Sequence, residues 1–283
     1  MAGRARIWTG ALGLSLGLFC PELHPESRAA RAEEAGLIPH RALYALEDQG
    51  GGAAGRYAVE YDDRCGRWIW RQDTRMLLSL KGMESAVPMA LDIRVDEARD
   101  GSASSFVVWA GDGASSGPEG GPGRPSMVGE ARPGERLSMN GAASGPTLPG
   151  DAVLSAAWLD ALSRAAARGE TRLRRTLFIP PPAAGMAATV IMDAVTEISP
   201  DEATPQEKAA FGEILEGRRV WRAKTLHWTF SAGDGPPLHE AEERIAEGGL
   251  VLGSIWRMEM ATIGARLREL ELRAPQECPQ ETP

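Results

Sequence analysis

Histidine and cysteine most often carry catalysis or bind metals, and this 283-residue chain has few of either. Beyond residue 32 the histidines are His40, His227 and His239, and none forms an HExxH pair or lies near a cysteine. The same stretch has no Walker A or strand-associated GxGxxG sequence, and its GxSxG match at 113–117 lies in a Gly/Pro-rich run with no helix pattern after it, unlike a nucleophile elbow. We therefore predict no catalytic residue, no metal site and no cofactor. A hydrolase whose Ser-His-Asp triad assembles only in space is the alternative.

The surroundings of the three histidines predict structural roles. His40 opens a strand-like segment, so we expect it to anchor that strand by hydrogen bonds. His227 alternates with Leu226 and Trp228, which predicts that it points away from the core. His239 follows two prolines and is expected in a loop.

The cysteines suggest a disulfide. Cys20 lies in the N-terminal apolar run, which leaves Cys65 and Cys278 as a pair. An even number of cysteines in an exported chain favours a disulfide over two unpaired thiols. The bridge would close a loop of about 214 residues and contribute roughly 5 kcal/mol at most in the chain-entropy model.

Tryptophan is unusually common beyond residue 32, at positions 68, 70, 109, 158, 221, 228 and 256. In a β-shell crossed by a helix, such side chains can line a cavity for an acyl chain or a peptide. The candidates for lining it are Trp70, Trp158 and Trp228. Ordinary core filling, which needs no ligand, is the favoured interpretation of these tryptophans.

The N-terminus resembles an export signal. Arg4 and Arg6 precede an apolar run at residues 7–20, which is shorter than the roughly 20 residues of a spanning helix. We predict a signal peptide at residues 1–32, cleavage after Ala32, and a soluble periplasmic protein from 33 to 283. A lipoprotein carrier acylated on Cys20 is the alternative.

Charge excludes one class of partner. The chain carries 31 Lys and Arg against 39 Asp and Glu, which gives net −8 and a pI near 5.2. A nucleic-acid binder needs a basic footprint, so we predict none here. No segment after the signal approaches transmembrane length.

Periodicity predicts a mainly β fold of one domain. Short alternating strands recur, with turns expected at Asp62–Asp63 and Gly248–Gly249 and a bulge at Gly253. One main helix is predicted at 151–168, with Asp151 as N-cap and Gly169 after its end. Residues 111–125 are expected to form a flexible Gly/Pro-rich loop, 199–209 a loop or helical turn, and 264–273 a strand or helix. The result is a single twisted antiparallel sheet, closed or half closed.

Several colinear motifs resemble the EipB-type cell envelope integrity proteins of alphaproteobacteria. They begin with the HRALYAL segment at 40–46 and the CGRW turn at 65–68, and continue to the ELEL run before Cys278. The family-motif residues are His40, Arg41, Tyr44 and Trp68. Departures are the Gly/Pro-rich loop, the IPPP run at 179–182 and the Gly-Gly hairpin turn.

The resemblance implies a periplasmic β-spiral or half-barrel of about fourteen strands, similar to lipoprotein carriers, with a Cys65–Cys278 disulfide. It also implies a role in envelope integrity without known catalysis. We therefore predict a non-enzymatic periplasmic protein that binds a protein partner or a lipid or acyl ligand on its concave sheet face.

Overall fold

The computed structural model describes residues 36–48, 53–111, 125–141, 145–180, 191–230 and 235–276. The strands are β1 (His40–Glu47), β2 (Ala53–Arg64), β3 (Arg67–Leu78), β4 (Val87–Ala98), β5 (Ser104–Gly111), β6 (Met127–Ala131), β7 (Ser138–Met139), β8 (Arg172–Phe178), β9 (Ile191–Asp201), β10 (Val220–Thr229), β11 (His239–Ala246), β12 (Leu250–Met258) and β13 (Thr262–Leu272). The helices are α1 (Ser155–Arg168) and α2 (Pro205–Leu215). The predicted signal peptide, most of the predicted flexible loop and Cys278 lie outside the described residues.

These thirteen strands form one antiparallel sheet in the order β7-β6-β5-β4-β3-β2-β1-β13-β12-β11-β10-β9-β8. The first strand therefore pairs with the last, and two meanders spread from that seam. Within the described residues β7 and β8 are the edges, so the sheet is open. The prediction of a mainly β protein with one large antiparallel sheet is confirmed.

The sheet is strongly curled. Side chains alternate between its two faces. The register of the paired strands places Tyr44, Tyr61 and Glu243 on the same face, which we call the inner face. The Tyr44 hydroxyl reaches across β13 and donates to the Val251 carbonyl on β12 at 2.8 Å. Burial is the largest cause that raises the pKa of Tyr61 on β2, and the nearby carboxyl group of Glu243 on β11 raises it further. The inner face is therefore concave.

Helix α1 packs against the concave face, as its apolar stripe predicts. Leu159, Leu162 and Ala165 are buried in one cluster with side chains from both walls of the sheet. Those wall residues include Trp68, Trp70, Val95, Phe106, Leu173, Trp221 and Ile245. The helix thus joins the two meanders. It ends, as predicted, at Gly169, whose left-handed φ of 79° suits glycine.

The start of α1 differs from the prediction. Asp151 does not cap it; the helix begins at Ser155 after Leu154, which makes no side-chain cap hydrogen bond. Instead the carboxylate of Glu97, from the inner face of β4, accepts the backbone N–H groups of Ala156 and Ala157 at 3.1 and 2.8 Å. A distant strand supplies the cap because tertiary packing buries this helix end.

Two short-range predictions need correction. The β2–β3 turn lies at Cys65–Gly66 rather than Asp62–Asp63, because both residues have positive φ (52° and 80°), as a two-residue type I′ turn requires. The segment at 199–209 divides between the end of β9 and a second helix, α2, so the fold has two helices in its described part. Thr204 and Glu207 form a capping box at the start of α2.

Other local predictions hold. Gly248 and Gly249, with φ of 93° and 72°, make the β11–β12 turn. The β11–β12 register shifts between Arg244 and Ile245, opposite Gly253, which confirms a bulge at this point. The undecided segment at 264–273 is mostly β13, so it is a strand.

Candidate functional site

The centre of the concave face brings together polar and aromatic side chains from four strands. Register places Tyr61 of β2 opposite Trp70 of β3, and Glu243 of β11 opposite Ser254 of β12. These two pairs come from different walls of the curled sheet. Leucine, isoleucine, valine and phenylalanine side chains of β4 and β5 continue the inner face beside Trp70. The result is a concave surface, mostly apolar, with a few polar groups.

A band of aromatic rings crosses this surface. Tyr61 lies between His40 and Trp70, with ring centroids 5.1 and 6.2 Å away. Tyr57 lies between Tyr44, at 5.2 Å, and Trp256, at 5.9 Å. Such rings offer large rigid apolar areas together with hydroxyl and indole donors.

Glu243 is the acidic group of this surface. Burial raises its pKa to about 7, and a hydrogen bond with Ser254 opposes that shift. Burial also raises the pKa of Tyr44, Tyr57 and Tyr61, and the nearby Glu243 adds to each shift. Near neutral pH the carboxyl can therefore donate or accept a hydrogen bond in an apolar setting.

Trp70 carries a buried polar group that no other described residue satisfies. Its side chain is 5 % exposed, and its indole Nε1 is buried without a hydrogen-bond partner among the described residues. An unpaired buried donor costs about 1–3 kcal/mol. An acceptor atom brought in by a ligand would remove that cost.

The three tryptophans predicted to line a cavity are not all together. Trp70 lies in the core cluster beneath α1, and Trp158 of α1 packs against that cluster. Trp228 follows His227 on β10, so its side chain points to the opposite face of the sheet. Its Nε1 donates a hydrogen bond to the Gly235 carbonyl at 3.1 Å. The concave face therefore has Trp70 and Trp158 near it, and Trp228 lies on the convex side.

Three of the family-motif residues lie on β1, at the seam between the first and last strands, and Trp68 lies on β3. His40 is 1 % exposed and its Nδ1 donates to the Ile38 carbonyl at 2.9 Å, as its anchoring role predicts. Burial lowers the His40 pKa to about 4, so the ring is neutral. Arg41 points outward, Tyr44 binds Val251, and Trp68 lies under the Arg99 guanidinium at 5.0 Å.

The predictions for the other two histidines are wrong. His227 is 6 % exposed on the inner face, and His239 opens β11 rather than lying in a loop. The inward-facing side chains of β10 include Trp221, Ala223 and His227. These residues pair with residues of β11 that lie on the inner face. The two imidazoles contact each other, and His40 contacts a carbonyl, which is not the arrangement of a Ser-His-Asp triad.

Sequence reasoning missed Glu243. It stands in a run of carboxylates with Glu240 and Glu242, and such a run predicts a solvated face. The alternation of Glu243 with Ala241 and Ile245, which are both buried, was the available signal. The neighbouring charged residues made this alternation of buried positions hard to recognise in the sequence.

Glu243 makes the stability of the fold depend on pH. Its pKa is raised in the folded state, so its stabilising contribution is complete below the unfolded value of about 4.5 and is lost as pH rises through about 7. We expect Glu243→Gln to raise the free energy of unfolding at pH 8 by about 2 kcal/mol and to change it little at pH 4.5. This is less than the full shift implies, because Glu243 as a whole is only partly buried and water screens its charge.

Urea denaturation of both proteins between pH 4.5 and 8 measures this effect. Glu213→Gln, at an exposed position of α2, is the matched control for the lost charge. A difference between Glu243→Gln and the natural chain that does not grow with pH would contradict the prediction.

Among the described residues, no three His, Cys, Asp or Glu side chains converge as metal ligands. Within the same residues, no helix is both long and apolar enough to cross a membrane.

The described structure defines a class: a mainly β protein with an open, curled antiparallel sheet and a helix packed against the concave face. The chain belongs to the EipB-like family, whose model matches residues 31–273. Membership indicates a periplasmic, envelope-related protein.

A solved structure supports the fold. The chain is similar to a crystal structure of a β-barrel-like protein of the domain of unknown function DUF1849 from Brucella abortus. Identity is 17 %, the TM-score is 0.62, and the match covers 84 % of this chain and 99 % of that one. At this identity the likeness shows the fold alone. No curated protein matches the chain.

Proposed function

We propose that this chain is an exported, non-enzymatic periplasmic protein that supports the cell envelope by holding an amphiphile with an acyl chain on its concave face. The observation that carries the proposal is the buried indole N–H of Trp70, which has no partner in the described structure. A folded protein rarely leaves such a donor unpaired unless something else completes it.

The composition of the concave face favours an amphiphile. Ligand pockets are typically apolar with a few placed polar groups, and this surface has that character. Ile93, Val95 and Phe106 are buried with Trp70 in the cluster beneath α1 and would give an acyl chain apolar surroundings there. Trp70 would donate to a carbonyl or hydroxyl oxygen of the ligand, and Glu243 would accept from a hydroxyl or amine. A saturated hydrocarbon alone would leave both groups unsatisfied.

Export is part of the same proposal. We propose cleavage after Ala32, so that the working protein begins at Glu33. Native mass spectrometry of the protein purified from its own periplasm without detergent tests cleavage and cargo together. A mass beginning at Glu33 with an added lipid is the expected result. A diacylglyceryl group on Cys20 would instead establish the lipoprotein alternative, and a bare chain would favour a protein partner.

Trp70→Phe tests the role of the indole. It keeps the aromatic ring and removes the N–H, so we expect affinity for an amphiphile to fall about 3- to 10-fold, the loss of one hydrogen bond. Displacement of a fluorescent apolar probe by lysophosphatidylethanolamine measures it. Trp228→Phe makes the same change on the convex side and should leave affinity unaltered. Equal affinities of all three proteins would argue against a ligand at Trp70.

A further inference from the structure

Two histidines and a methionine lie side by side on the inner face of three adjacent strands. Register pairs His227 of β10 with His239 of β11, and His239 with Met258 of β12. All three positions are near the ends of their strands, at the side of the sheet away from the Gly248–Gly249 turn. The three side chains therefore project from neighbouring positions toward the same space.

The two imidazoles are already in contact. Their ring centroids are 4.1 Å apart and their planes differ by 17°. Directly paired residues on antiparallel strands have Cβ atoms about 4.5–5.5 Å apart, so both imidazoles extend from neighbouring points into the same space.

One nitrogen of this pair has nothing to bind. His227 is 6 % exposed, and its Nδ1 is buried without a hydrogen-bond partner in the described part of the chain. A buried imidazole nitrogen without a hydrogen-bond partner is available to bind a metal ion in its neutral form.

We propose that His227, His239 and Met258 form a copper(I) site. Imidazole suits several transition metals, but a thioether ligand selects the soft cuprous ion. Two imidazoles and one thioether give copper(I) three neutral ligands without a carboxylate. The described residues contain no cluster of three His, Cys, Asp or Glu side chains that could bind a metal. The proposed site differs from such a cluster because its third ligand is a methionine.

The exposure of the three residues provides access for the ion. Met258 is 39 % exposed and His227 is almost fully buried, so the ligands run from the surface inward. The site uses none of the groups assigned to the amphiphile, Trp70, Glu243 and Ser254, so its test does not depend on the proposed function.

Titration of the purified full-length mature protein with copper(I), in competition with bicinchoninate and under ascorbate, tests the proposal. We expect one tightly bound ion per chain. His239→Ala should weaken binding at least about 100-fold, because loss of supporting contacts alone costs 10- to 100-fold at metal sites. Met258→Leu should weaken it by a smaller factor, and Met83→Leu, at another exposed methionine, should not change it.

X-ray absorption of the copper-loaded protein provides a readout that does not depend on variant folding. Two nitrogen scatterers and one sulfur scatterer are expected, and the sulfur should disappear in Met258→Leu. Absence of stoichiometric copper(I), or copper(I) that His239→Ala retains unchanged, would overturn the site. A sulfur signal that survives in Met258→Leu would overturn the assignment of Met258.

Discussion

Replacing both Cys65 and Cys278 with serine is expected to lower the free energy of unfolding by about 2–5 kcal/mol, the usual loss for a native disulfide. Cys65 occupies the exposed β2–β3 turn. The chain returns to this turn after β13, where the Gln276 N–H donates to the Asp63 carbonyl at 3.1 Å. Cys278 lies two residues beyond Gln276, outside the described residues, so the pairing remains a prediction.

Ion pairs bring the C-terminal segment to the same place. Arg273 binds Asp62 at 2.8 Å and Glu60 at 2.5 Å, both on β2. A covalent bond would therefore fix an approach that the fold already makes, with little rearrangement of the native state. The stabilisation would come mainly from restricting the unfolded chain.

Urea denaturation of the natural protein and the double serine variant measures the loss. Intact mass should first show the natural protein 2 Da below its reduced value, since forming a disulfide removes two hydrogens. Reductant should destabilise the natural protein and leave the double variant unchanged. A natural protein that is reduced as purified from the periplasm, or that is equally stable with and without reductant, would contradict the pairing.

Glu97→Ala is expected to cost about 2–4 kcal/mol. The substitution leaves two backbone N–H groups of α1 without their carboxylate acceptor at a buried helix end, where each loss costs about 1–3 kcal/mol. It also empties a fully buried position, since Glu97 is 0 % exposed. Because α1 joins both walls of the sheet, the loss should appear as global unfolding at lower denaturant.

Glu97→Gln separates the two contributions. Burial raises the pKa of Glu97 to about 7 against the two N–H bonds, so the neutral amide avoids the cost of burying a charge while its oxygen accepts one N–H. We therefore expect Glu97→Gln to be more stable than Glu97→Ala. Glu130→Ala, at an exposed position of β6, should have an effect within about 0.5 kcal/mol. Chemical denaturation at pH 7 compares all four proteins. A Glu97→Ala protein as stable as Glu130→Ala would show that the cap contributes nothing.

The two proposed binding functions separate cleanly in experiments. Trp70→Phe should weaken amphiphile binding and leave copper(I) binding unaltered, whereas His239→Ala should do the reverse. The reason is that Trp70 lies under α1, within the core cluster, and His239 lies at the start of β11, near the opposite ends of the strands. A variant that loses both activities would indicate a general loss of fold, which circular dichroism would reveal.

Local pattern in the sequence determined most of the elements. Alternating side chains predicted the strands, the apolar stripe predicted α1, and glycine pairs placed the β11–β12 turn, because each of these depends on residues close together in the chain. The motif at 40–46 also indicated the EipB-like family, which the family match confirms. His40 is buried and hydrogen-bonded as predicted.

Only the tertiary structure decided which face of each strand points inward. Alternation within β10 and β11 separates two faces, but pairing with the neighbouring strands decides which of them lies inside, as where Ala223 pairs with Glu243. Strand pairing therefore placed His227 and Glu243 inside. The cap of α1 by Glu97 spans about 60 residues of chain. Contacts of that kind arise from the curl of the sheet, which no local pattern encodes.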